Sequence, residues 1–147
     1  VIPDPPLAMY LKGRLPDSEK VTVAIIGARD CTRYGSEMAR FFGRELGRAG
    51  VQVISGLARG IDGMAHEGAL EAQAYTLGVL GCGIDEVYPE ENYHLFMQME
   101  QCRISQQPMV LMQQWLHSKY ILNELHRGRS FRPLFYVLIQ IVIRKVG

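Results

Sequence analysis

Hydrophobic positions along residues 21–102 change period in a regular way. Val21-Thr22-Val23-Ala24-Ile25-Ile26 is an unbroken run rich in β-branched residues and ended by Gly27, the pattern of a strand buried on both faces. From Tyr34 to Ala49 the period lengthens. Apolar residues fall at Tyr34, Met38, Phe41, Phe42, Leu46 and Ala49, with Glu37, Arg40, Arg44 and Arg48 on the other side and Gly50 as the stop, which predicts an amphipathic helix. The arginines read as a solvated face. Gly43 and Gly47 each weaken such a helix by about 1 kcal/mol relative to Ala, so close packing on the sheet is expected at both.

The alternation then repeats. Val51-Gln52-Val53-Ile54 predicts a second strand, Ile61 to Ala72 a second helix, and Thr76 to Leu80 a third strand ended by Gly81-Cys82-Gly83. Tyr88-Pro89 opens a turn, and Asn92 starts a third helix through Leu95, Phe96 and Met99. The order β-α-β-α-β-α predicts the α/β class: a Rossmann-like parallel sheet with right-handed crossovers and helices on both faces. In such sheets ligands sit beyond the carboxyl ends of the strands. The loops after Ile26, Ile54 and Leu80 are therefore the ones to inspect for chemistry.

Composition narrows the class. With 147 residues and 48% hydrophobic content there is room for one domain with a real core. The longest apolar stretch, Leu134 to Ile143, is interrupted by Gln140 and is too short to span a bilayer. The start, Val1-Ile2-Pro3-Asp4-Pro5-Pro6, carries no export pattern, and its lack of an initiator Met predicts further residues upstream. Cys31, Cys82 and Cys102 have no metal-ligand spacing. Neither a zinc site nor a disulfide framework is expected, and a reducing cytoplasm is the simplest setting.

The loops hold the candidate chemistry. Gly27-Ala28-Arg29-Asp30 lacks the G-x-G-x-x-G string of dinucleotide sites. It puts Arg29 either at the binding edge, suited to a phosphate, or in a surface pair with Asp30. The second loop, Ser55-Gly56-Leu57-Ala58-Arg59-Gly60-Ile61-Asp62, allows close backbone approach, with the N–H groups of a helix N-terminus and the charge of Arg59 turned to an anion. Asp62 reads as an acceptor for backbone N–H groups in the first helical turn. His66, four residues on, reads as an orienting residue in reach of Asp62 rather than as a base. No catalytic group, metal or cofactor is expected.

These same residues carry a family resemblance. Ser55-Gly-Leu-Ala-Arg-Gly-Ile-Asp62, then Ala65-His66 and Ala69-Leu70, resembles the signature of the DNA-processing protein A (DprA/Smf) family. Asp4-Pro5-Pro6 with Tyr10 and Gly13, Ile26-Gly27-Ala28-Arg29, Tyr34-Gly35, Leu80 to Asp85, Val87-Tyr88-Pro89 and Asn92 fit the same family in order and spacing. The match covers about residues 3–101. It implies a cytoplasmic, non-enzymatic protein that binds single-stranded DNA, shields it during natural transformation and helps load the recombinase RecA. A homodimer fits the resemblance; a membrane partner does not. By position, Arg29 and Arg59 become the phosphate contacts, with Gly27, Ser55, Gly56 and Gly60 shaping the pocket. Relatives commonly carry a basic residue just after Tyr-Pro, whereas this chain has Glu90-Glu91, two carboxylates that would repel a phosphate backbone.

After Gln101 the pattern lapses. Phe-Pro-x-Arg-Asn-Arg and Ser-Gly-Ser-Leu motifs, which complete the sheet and pocket in the family, are absent. Charge changes at the same place. Residues 1–102 hold nine Lys/Arg against fourteen Asp/Glu, net −5, and residues 103–147 seven against Glu124 alone, net +6. The expected layout is a lead-in segment at 1–20, a partial Rossmann-like core at 21–102, C-terminally incomplete, and a basic tail at 103–147. The tail is read as out of frame in preference to a divergent end, and is not expected to complete a regular parallel sheet. Two other functions compete. A nucleotide phosphoribohydrolase of the Lonely-guy/lysine-decarboxylase-like group would need Pro-Gly-Gly-x-Gly-Thr before a catalytic Glu, a string absent here. A nucleotide-sensing module would use Gly56 to Gly60 as a phosphate cradle.

Overall fold

The computed structural model describes residues 9–83, 85–101, 110–114 and 136–141. Three parallel strands form the centre, β2 (Thr22–Gly27), β3 (Gln52–Ser55) and β4 (Thr76–Leu80), each within a residue or two of its expected place. Residues Thr22 and Val23 lie beside Gln52 and Val53, and Val53 and Ile54 beside Thr76 and Leu77. Between them run α1 (Arg33–Arg48) and α2 (Ile61–Glu71). After β4, a single 3₁₀ turn (Glu90–Asn92) leads into α3 (Tyr93–Gln101).

The sheet is wider than those three strands, which corrects the expectation for the tail. Val110–Gln114 forms β5, parallel to β4 on one side and antiparallel to β1 (Met9–Lys12) on the other. Tyr136–Ile141 forms β6, a parallel edge strand beside β2. The order is β1-β5-β4-β3-β2-β6. The long apolar stretch thus supplies an edge strand, Tyr136–Ile141. The interior place of β5 was not foreseen. The rest of residues 103–147 lies outside the described residues.

Alternate residues of the central strands face opposite ways. Val23, Ile25 and Val53 pack with Ala39 of α1 and Ile61, Ala65 and Ala69 of α2. Ala24, Ile26 and Ile54 are buried too, so both faces of these strands are covered. A second cluster joins Leu57 and Leu80 to Leu95, Phe96 and Met99 of α3.

The inward stripe of α1 is not the expected one. Gly35, Ala39, Gly43 and Gly47 are buried, while Tyr34 and Phe41 are exposed. Gly43 meets α2 rather than the sheet, and Gly47 faces Ala72 and Ala74 just past the end of α2. A Cβ on Gly43 would run into the Ala65 backbone, and one on Gly68 into the backbone of Arg40 and Arg44. The arginines do form a solvated, ion-paired face: Arg40 and Arg44 reach Glu71, and Arg48 reaches Glu45. Thr32 caps α1, its hydroxyl accepting from the Gly35 N–H at 3.1 Å. Among the described residues no helix is long and apolar enough to cross a membrane.

Candidate functional site

Beyond the carboxyl ends of β2, β3 and β4 lies a cavity of about 560 Å³, lined from all three loops by Gly27, Arg29, Gly56, Ala58, Arg59, Asp62, Gly81, Cys82, Tyr88 and Glu91 among others. The topology puts it where open α/β sheets hold ligands. Arg29 and Arg59 face this one cavity. Their loops touch directly, because Gly60 sits against the backbone of Ala28 and Arg29. A Cβ there would stand 2.5 Å from the Arg29 oxygen, and the φ of +80° excludes most other residues as well.

Asp62 holds the floor together. It is almost fully buried, and its two oxygens accept from the Gly27 and Gly56 N–H groups, each at 3.2 Å. The acceptor role expected for it is therefore real, but its donors come from the β2 and β3 loops and not from its own helical turn. Burial pushes its carboxyl pKa up, against the opposing pull of those two N–H groups, the Ser55 hydroxyl and the Arg29 charge. The Ser55 hydroxyl itself is 2.6 Å from the Ile25 carbonyl, to which it donates, and Ser55 does not line the cavity. Its single proton belongs to that carbonyl, so its help to Asp62 is secondary.

The helix N-terminus is less open than the sequence suggests. The Ile61 N–H donates to the Ala28 carbonyl at 3.2 Å, and the Gly63 N–H to the Ala58 carbonyl at 3.0 Å. With Gly27 and Gly56 bound to Asp62, four backbone donors near the groove have internal acceptors. Asn92, expected to start a helix, has a larger part. Its Nδ2 donates to the carbonyls of Leu57 and Ala58 at 3.0 and 3.1 Å. That brace supports Leu57 at a φ of 54°, a left-handed conformation that an aliphatic residue holds only when its surroundings fix it.

His66 does not reach Asp62. It is wholly buried, and its Nδ1 lies 2.7 Å from the Thr76 hydroxyl. Thr76 donates to the Val53 carbonyl at 3.0 Å, so it accepts from Nδ1–H and fixes the tautomer. Nε2 is left without a hydrogen-bond partner among the described residues. Burial drives the imidazole pKa down to about 3, against a smaller opposing pull from the Ser55 backbone. A sealed, neutral imidazole reaches no ligand in the cavity. Cys82 does line the cavity, but burial raises its thiol pKa, with Glu86 and Asp85 adding to the effect, which makes it a poor nucleophile.

The remaining charge is Glu91. Its Oε1 lies 3.4 Å from the Arg59 Nε, with both side chains more than half exposed. The groove therefore offers two guanidiniums on a rigid, glycine-walled floor, and one of them already faces a carboxylate.

The profile of the DNA recombination-mediator protein A family matches residues 1–124. The chain belongs to this family. The match runs past Gln101, where the motif pattern lapses. DNA processing protein DprA of Bacillus subtilis is 38% identical over 93 residues, which is 63% of this chain and 31% of that protein. Protein Smf of Synechocystis is 40% identical over 102 residues, 67% of this chain and 26% of that protein. The chain thus spans between a quarter and a third of these curated relatives. The solved DNA processing protein A of Helicobacter pylori, described for its single-stranded DNA binding mode, superposes with a TM-score of 0.62 at 28% identity, over 85% of this chain and 57% of that one. The Streptococcus pneumoniae protein gives 0.60 at 28% identity, over 71% and 35%.

Proposed function

We propose that this chain binds single-stranded DNA in the groove at the carboxyl edge of β2, β3 and β4, with Arg29 and Arg59 as phosphate contacts. The observation that carries the reading is the convergence of those two side chains, from successive βα loops, on one cavity. Adjacent parallel strands lie about 4.8 Å apart, so two guanidiniums delivered from neighbouring strand ends can address successive phosphates of one extended chain. Gly27 and Gly56 line the floor, while Gly60 and Ser55 support it from outside the cavity. The single-stranded DNA binding described for the Helicobacter pylori protein supports the same ligand class.

The groove binds and does not turn over its ligand. Asp62 is committed to two backbone groups and His66 is sealed away, so neither serves as a base. The capture of the Gly56 N–H by Asp62 also counts against a nucleotide-sensing cradle built from Gly56 to Gly60, which would need that donor. Shielding of incoming DNA, delivery to RecA, self-association and a cytoplasmic setting complete the proposal. Residues 21–102 supply the groove within it. Residues 103–147 supply β5 and β6.

Phosphate contacts carry no base information, so affinity should be independent of sequence and fall with salt, by a log–log slope of about 0.7 per contact. Fluorescence-anisotropy titrations of labelled oligonucleotides at several salt concentrations test this. Arg29→Ala should weaken binding to all sequences alike and make the slope shallower by about 0.7; Arg59→Ala should also weaken it. Unchanged affinity in both variants, with unaltered thermal melts, would remove the groove as the DNA site.

A further inference from the structure

Internal acceptors occupy much of what the groove could offer an anion. Asp62 takes the Gly27 and Gly56 N–H groups at 3.2 Å, the Ala28 carbonyl takes the Ile61 N–H, and Glu91 faces the Arg59 guanidinium at 3.4 Å. These acceptors differ in how firmly they hold. Asp62 is buried and doubly bonded, and the Ile61 bond is part of the loop–helix junction, so a ligand cannot displace either without unmaking the floor. Glu91 is exposed, lies within a single 3₁₀ turn and makes one long contact. It is the acceptor that can be displaced.

We propose that Glu91 is a selectivity residue: by pairing with Arg59 it disfavours isolated phosphates and mononucleotides, and admits a polyanionic strand that engages Arg29 and Arg59 together. The inference rests on the reading of the groove as a single-stranded DNA site. A lone phosphate that draws Arg59 away loses the Glu91 contact and gains one contact of the same kind, while standing close to a like charge. It finds no backbone N–H at Gly27 or Gly56 to add to the exchange. A strand meets the same opposition at Arg59, but its covalently linked neighbour is delivered to Arg29 at high local concentration. The ion pair therefore filters ligands by valency. Exposed pairs of this kind have small free energies, so the filter lowers affinity without abolishing it.

The test uses the full 147-residue chain and its E91Q, R59A and R59A/E91Q variants, all checked by thermal melts. Anisotropy is read with a labelled oligothymidylate across salt concentrations, and thymidine monophosphate serves as competitor. E91Q should tighten the oligonucleotide about two- to fivefold and steepen the salt slope by about 0.7, because Arg59 then meets phosphate with no internal anion to release. It should also tighten the mononucleotide by a similar factor, which lifts a ligand with a single contact from undetectable to a measurable competitor. In the R59A background the same change should gain nothing. An equal gain there shows repulsion at a distance and overturns the pair as the device. If the strand binds and needs Arg59 but E91Q leaves affinity, slope and competition unchanged, this inference falls and the DNA reading stands. If the wild-type chain binds no oligonucleotide, both fall.

Discussion

The α1–α2 interface makes the sharpest prediction about stability. Gly43 meets the backbone of Ala65, and Gly68 meets the backbone of Arg40 and Arg44; a Cβ on Gly68 would lie 2.8 Å from the Arg44 nitrogen, and one on Gly43 3.1 Å from the Ala65 carbonyl carbon, with the nearest oxygens closer still. Backbone atoms cannot swing aside as a side chain would. The helices must part by about an ångström, which forfeits packing along both. Overpacking of this sort costs about 1–3 kcal/mol, and the better helix propensity of Ala returns at most about 1 kcal/mol. Gly43→Ala or Gly68→Ala should therefore destabilise the chain by about 1–2 kcal/mol, a melting-temperature drop of roughly 3–8 °C at this size. Gly47 faces the side chains of Ala72 and Ala74 and should suffer less. The Gly43/Gly68 double variant should lose less than the sum of the singles, because helices already apart make room for the second methyl. Thermal unfolding followed by circular dichroism reads all four. Singles that melt at or above the wild type would refute the close backbone contact.

Two further outcomes follow from buried and capping groups. The folded-state pKa of His66, about 3, lies below its unfolded value near 6.5. The unfolded chain therefore takes up the proton first as pH falls, and stability present above about pH 6.5 is progressively lost towards pH 3. From pH 7 to pH 5 the loss should be about 2 kcal/mol, read as a falling denaturation midpoint; a flat profile would mean the imidazole is hydrated. Thr32→Ala removes the α1 cap at Gly35 and should cost about 1 kcal/mol, with Thr32→Asp recovering most of it in the same melts.

The element order was readable because buried strands and amphipathic helices leave different periods, and the bounds of β2, β3 and β4 moved by no more than a residue or two. What those elements touch was not. The spacing of Gly43 and Gly47 signals close approach, but nothing in one helix says whether a sheet or a second helix fills the gap. The four-residue step from Asp62 to His66 suggested a contact on one face. The structure turns Asp62 back to two loops and His66 down to Thr76 on β4. The composition of α2 held a clue: Ile61, Gly63, Ala65, Gly68 and Ala69 are all buried, and a helix sealed on that many sides seals its histidine too. β5 was missed, and the apolar stretch of β6 could not be given a neighbour, because their partners, β4 and β2, are distant in sequence and no periodic helix announced them. Arg29 and Arg59 could be placed at one edge from topology alone. The Glu91 contact depends on the path from β4 into the 3₁₀ turn, which period does not fix.

On the proposed reading, the arrangement of Asp62 leaves the affinity to the arginines. A phosphate-binding loop of the usual glycine-rich kind works because its backbone N–H groups point at the ligand. Here the corresponding groups of Gly27 and Gly56 point at a carboxylate carried by the first turn of α2, beside the helix end where negative charge is favoured. That carboxylate welds the β2 and β3 loops to α2 and makes the floor rigid, at the cost of the donors that would grip one phosphate closely. Arg29 and Arg59 remain, at the ends of flexible stems, suited to a phosphodiester chain whose exact seating does not matter. A ligand held this way is recognised by its spacing of charge and not by its bases. Moving the welding carboxylate would trade rigidity for donors. Asp62→Gly should loosen the loops, lower the melting temperature and expose two N–H groups. If single-stranded DNA binding then fell along with stability, the floor's rigidity would be shown to matter more to the strand than the donors it gives up; stronger binding by the still-folded variant would reverse that order.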